Sequence, residues 1–132
     1  MSDLSTLQRW IGELGFDVAT EPSGALRLLP RGADASRRQP PLFVQWSQNW
    51  ILLAVLPVWR RDEPVPDDVH LQLLLANREM RLAKFALDAE DDVVLCAELP
   101  TESLQYDEFA DAVTRIRGYV RTWREKMGLT SG

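Results

Sequence analysis

The chain has 132 residues, 45% hydrophobic and 27% charged, with a formal net charge of −5 and one cysteine, Cys96. That length holds a single domain, residues 1–132, with a core of its own. An acidic body repels a phosphate backbone, and one thiol builds neither an internal disulfide nor a cysteine metal cluster, which fits a reducing cytoplasm.

Charge is unevenly spread. Residues 62–114 carry 14 acidic and 3 basic side chains, whereas residues 115–132 carry 1 and 5. The start, Met-Ser-Asp-Leu-Ser-Thr-Leu-Gln, has neither a basic opening nor an apolar targeting core. The longest uncharged apolar run, Trp50 to Trp59, covers ten residues, about half of what crosses a bilayer.

Leu4, Leu7, Trp10, Ile11 and Leu14 recur at helical spacing and predict a first helix, with Ser2 or Ser5 as its cap and Gly15 at its end. Residues 16–20 and 25–29 read as short strands around the turn-forming Pro22-Ser23-Gly24. Residues 30–41 have no apolar period and read as a long exposed loop. Leu42–Trp46 and Trp50–Leu56 form a hairpin across Ser47-Gln48-Asn49. The second of these strands is apolar at every position, so both its faces are buried or one awaits a partner. Prolines 57, 64 and 66 end it and fill a crossover together with Arg60 and Arg61.

The segment from Asp67 to Met80 is the most informative in the chain. At 100° per residue, Val69, Leu73, Ala76 and Met80 fall on one face, while Leu71, Leu74 and Leu75 fall on the opposite one. A helix with two apolar faces has to be covered twice, and so small a chain has little material for the second cover. A homodimer with Leu71, Leu74 and Leu75 at its interface is the expected solution. Asp67, after Pro66, is the expected cap or first-turn acid. A hairpin then pairs Leu82–Leu87 with Val93–Leu99 across Asp88–Asp92, with Phe85 and Leu87 inward and Lys84 outward. Pro100 stops the strand and Thr101 opens the clearest helix, in which Phe109, Ala110, Val113, Ile116, Val120, Trp123 and Met127 share one arc. Its acids lie in the first turns and its bases in the last, complementing the helix dipole. The resulting fold is α+β, in the order α-β-β-β-β-α-β-β-α. An antiparallel sheet of five or six strands carries an N-terminal helix, a central interface helix and a long C-terminal amphipathic helix.

Chemistry finds little support. His70 is the only histidine and has no charged or metal-binding partner at fixed spacing. The run Asp88-Ala-Glu-Asp-Asp92 imitates the first ligands of a calcium loop, but Val93 stands at the sharp-turn position and Leu99 at the bidentate-acid position. No phosphate loop, glycine-rich strand-to-helix turn or nucleophile elbow is present. Cys96 has no basic neighbour in sequence to activate it. The sequence therefore predicts no catalytic residue, no cofactor, no metal and no membrane span. Trp46, Trp59, Arg60 and Arg61 are the expected partner-binding residues, since tryptophan and arginine are enriched in protein interfaces. The alternative is a regulator that touches single-stranded nucleic acid through an arginine–tryptophan edge that also includes Arg37, Arg38 and the C-terminal arginines.

Several stretches carry a family resemblance: Leu74-Leu75-Ala76-Asn77, Phe85-Ala86-Leu87-Asp88, Val94 through Pro100, the helix through Phe109 and Val113, and Leu-x-x-Trp-Ile-x-x-Leu-Gly from Leu7 to Gly15. Together they resemble the YbjN family and the class I type III secretion chaperones, over nearly the whole chain. The resemblance implies a non-enzymatic protein- or peptide-binding module, usually a homodimer, acting as a chaperone or adaptor. The loop at 30–41 and the proline-rich crossover are more similar to YbjN proteins than to secretion chaperones.

Overall fold

The computed structural model describes residues 3–32 and 39–129. Three helices and six strands follow in the order α1 (Leu4–Glu13), β1 (Phe16–Thr20), β2 (Leu26–Pro30), β3 (Leu42–Trp46), β4 (Trp50–Trp59), α2 (Val69–Glu79), β5 (Lys84–Leu87), β6 (Val93–Pro100) and α3 (Tyr106–Lys126). The strands form one antiparallel sheet with spatial order β1-β2-β3-β4-β6-β5. This is the α+β arrangement and element order expected from the sequence, with six strands.

Local signals explain most element ends. The cap of α1 is Asp3, whose carboxylate accepts the Thr6 N–H at 2.8 Å. Ser5 lies inside the helix, and Ser2 is outside the described residues. That hydrogen bond favours the ionised acid and lowers the Asp3 pKa below its usual 3.8. Gly15, at φ +95°, turns the chain from α1 into β1, a conformation that a side chain would strain. Tyr106 opens α3 behind a capping box in which the Gln105 and Glu108 side chains each take the other's backbone N–H. Thr101 is not the helix start; it is buried, and its hydroxyl donates to the Gln48 carbonyl at 3.3 Å.

Two strand boundaries differ from the expectation by two residues or more, and those of β2 and β6 by one. Strand β4 continues through Pro57 to Trp59, because residues 56–58 fall in a register irregularity between Val55 and Trp59. A proline there interrupts no regular ladder bond. Strand β5 starts at Lys84 instead of Leu82, since Leu82 adopts φ +71° in the preceding turn. Leu87, expected inward, is 46% exposed at the end of this edge strand.

The core lies on one face of the sheet. Phe16, Leu26, Leu28, Val44, Ile51, Leu53, Leu95 and Phe85 pack there with Leu7, Trp10 and Ile11 of α1, and with Phe109, Val113, Ile116 and Val120 of α3. Ring contacts tie the two ends together. Trp10 meets Phe109 at 5.9 Å, while Phe85 sits between Trp59 at 6.2 Å and Trp123 at 5.8 Å.

Candidate interaction surface

Helix α2 does have two apolar faces. Val69, Leu73 and Ala76 join the core, while Leu71, Leu74 and Leu75 are 59%, 68% and 46% exposed. The helix is held so that this second face keeps its aim. Asn77 reaches across to β5, where its Nδ2 donates to the Phe85 carbonyl at 3.1 Å and its Oδ1 accepts the Phe85 N–H at 2.8 Å. Lys84 Nζ donates to the carbonyls of Asn77 and Met80 at 2.7 and 2.6 Å. These are C-terminal carbonyls of α2, which the helix itself leaves without donors. A side-chain amide and an ammonium thus clamp α2 to the edge of the sheet.

The second surface is the sheet face turned away from the helices. Directly paired residues share a face, and the registers place Arg27, Phe43, Ala54, Cys96 and Lys84 in one row across five strands. A neighbouring row holds Gln45, Leu52 and Glu98. The buried residues of all three helices belong to the core on the other face. Ala54 and Val94 are buried too, yet stand outside that core. Around them Phe43 and Leu52 are half-buried, and Leu29, Trp50 and Leu56 are exposed. The uninterrupted apolar character of β4 is the sequence signal of this surface, since a strand packed on one side alone would alternate.

The expected partner-binding residues do not come together. Trp59 is only 2% exposed and lies under Phe85. Trp59, expected at the partner-binding surface, is instead the last residue of β4 and part of the core. Trp46 is half-buried on the core face at the opposite end of the β3–β4 hairpin, paired with Ile51. Strand geometry puts it about 25 Å from Trp59. Arg60 and Arg61 are exposed but adjoin acids: the Arg60 N–H donates to Glu63 at 2.7 Å and the Arg61 N–H to Asp92 at 2.9 Å. Arg37 and Arg38 lie outside the described residues. With Trp59 buried, the arginine–tryptophan edge has no stacking platform at this position.

Other polar groups serve local structure. Asp88 accepts the N–H groups of Glu90 and Asp92 at 2.9 and 3.0 Å, so its carboxylate shapes the β5–β6 turn. His70 is exposed on α2. Burial, with Glu98 nearby, raises the Cys96 pKa and keeps its thiol protonated. Among the described residues no three histidine, cysteine, aspartate or glutamate side chains are grouped as a metal site, and no helix is long and apolar enough to cross a membrane.

Comparison with known proteins gives a consistent fold. The family model YbjN, described as "Putative bacterial sensory transduction regulator", matches residues 3–128. Among solved structures, a chain of the ExsC–ExsE complex is similar over 96% of this chain and 97% of its own, with TM-score 0.71 and 18% identity. YbjN from E. coli is similar over 94% and 93%, with TM-score 0.66 and 21% identity. A chain of the HopA1–SchA chaperone–effector complex is similar over 92% and 91%, with TM-score 0.65 and 15% identity. No significant match was found among curated proteins.

Proposed function

The chain belongs to the YbjN family, and from that premise we propose that it is a cytoplasmic, non-enzymatic homodimer that binds another protein as a chaperone or adaptor. The observation that carries this reading is the exposure of Leu71, Leu74 and Leu75 on a helix whose other face is already in the core. Two-fold symmetry would place each leucine in the interface twice. Covering the exposed half of six leucines is worth about 1 kcal/mol each, some 6 kcal/mol together. Association alone costs roughly 4–15 kcal/mol. The leucines therefore favour a dimer only with further surface buried beside them.

The open sheet face around Phe43 and Leu52 suits an extended or amphipathic segment of a partner, which would be held by burial and not by chemistry. Arg60 and Arg61 stand as candidates for the rim of that contact. The fold it shares with a chain of a chaperone–effector complex supports the binding role.

Light scattering at micromolar concentration should report about twice the chain mass of 15.0 kDa, and Leu71→Glu with Leu75→Glu should return it to one chain mass. Affinity capture of the partner should survive in the wild type and fail in a Phe43→Asp, Leu52→Asp variant that keeps its circular dichroism. A monomeric wild type whose mass and stability ignore the leucine substitutions would refute the dimer. Undiminished capture by the sheet-face variant would refute the binding surface.

A further inference from the structure

A groove of about 650 Å³ runs between the end of α2 and the C-terminal half of α3. Its volume lies in the range of about 300–1,000 Å³ typical of ligand sites. Met80, Tyr119 and Trp123 supply apolar lining. One wall is fixed in place, because the Tyr119 hydroxyl accepts the Arg81 N–H at 3.3 Å and donates to the Arg81 carbonyl at 3.1 Å. A wall already pinned costs less to order when something binds.

The remaining lining is charged, and predominantly of one sign: Arg78, Arg81, Arg115 and Lys126 against Glu79. Arg78 pairs with Glu79 at 3.4 Å, and Arg115 pairs with Asp111 at 2.8 Å. Arg81 and Lys126 have no ion pair among the described residues. Lys126 Nζ lies 4.6 Å from the Trp123 ring centroid, which leaves its hydrogen-bond donors uncommitted beside an apolar surface. Such a site is a concentrated positive patch on an otherwise acidic protein.

We infer that this α2–α3 groove docks an acidic segment of a partner protein, with an apolar side chain set against Tyr119 and Trp123 and carboxylates reaching Arg81 and Lys126. The inference rests on the protein-binding reading and adds to it a second, charge-selective contact. Leu75 belongs to both the groove and the proposed dimer face, so the two contacts are neighbours. Rim charges of this kind speed encounter and reject wrong partners more than they add raw affinity.

The test uses the full chain and a short fluorescein-labelled peptide that alternates glutamate with leucine and phenylalanine. Its counterpart with lysine at every glutamate position is the control, and anisotropy is followed at low and physiological salt. The acidic peptide should bind, more weakly as salt rises, and the lysine counterpart should not. Arg81→Glu with Lys126→Glu should weaken acidic-peptide binding at least about tenfold and confer binding of the lysine peptide. That gain shows the variant is folded. Light scattering on the same samples should give unchanged mass. No binding of the acidic peptide at millimolar concentration, equal binding of both peptides, or undiminished binding by the reversed variant would overturn the inference. A halved mass in that variant would also overturn it, by making a second copy of this chain the occupant. A monomeric wild type that still binds the acidic peptide would leave the groove standing and remove the dimer.

Discussion

Replacing Asn77 by alanine tests how α2 is attached to the sheet. The side chain makes two hydrogen bonds to the Phe85 backbone, at 3.1 and 2.8 Å, both part-buried. Each is worth about 0.5–1.5 kcal/mol net, and a donor or acceptor left dry costs more. The expected loss is therefore about 1–3 kcal/mol. A chain of 132 residues unfolds with an entropy near 0.28 kcal/mol/K, so the melting temperature should fall by about 4–11 °C. Asn77→Asp refines the test. An ionised carboxylate keeps the acceptor for the Phe85 N–H but turns a second acceptor toward the Phe85 carbonyl, whereas a protonated one restores a donor. The aspartate variant should thus recover part of its deficit, relative to wild type at the same pH, as pH falls through the range of that carboxyl. Paired thermal melts of the three proteins between neutral pH and about pH 4 read both effects. An alanine variant within about 1 °C of wild type would show that the amide bridge carries no stability and that packing alone seats the helix.

Trp59→Ala should cost about 3–5 kcal/mol, a large share of a typical domain's total, because it empties the space under Phe85. A urea midpoint close to wild type would put that side chain back at the surface. Asp3 has a lowered folded-state pKa, so its stabilising effect is present above the unfolded value near 3.9 and fades as pH falls through the folded one. Asp3→Asn should flatten that part of the acid limb and leave neutral-pH stability nearly unchanged. An acid limb identical to wild type would mean the cap carboxylate does not contribute.

The periodic elements were legible because each is written in local spacing. The stripe of α1, the arc of α3 and the two-faced pattern of α2 need nothing beyond the residues within them. The misplaced features depend on contacts far apart in sequence. Trp59 follows Pro57 and precedes Arg60 and Arg61, and nothing local reveals that Phe85 closes over it. Pro57 looks like a strand end until β6 supplies the ladder whose irregular stretch accommodates it. Asn77 was visible only as the end of the Leu74–Asn77 stretch, because its partner is eight residues on and on another element. The open sheet face was half visible: β4 lacks polar alternation, yet that pattern fits two buried faces equally well. The α2–α3 groove had no sequence signal, since Arg81 and Lys126 meet only through the tertiary fold.

The amide bridge from Asn77 also sets a limit on how copies of this chain can join. An antiparallel sheet with two free margins is divalent, and divalent units can add end to end without stopping. Here one margin is β5, four residues long, and its central outward-facing peptide groups, those of Phe85, already have partners within the chain. Growth by strand addition at that margin would first have to displace Asn77. The sheet is thereby reduced to at most one unobstructed margin, so any margin-to-margin pairing terminates at two copies.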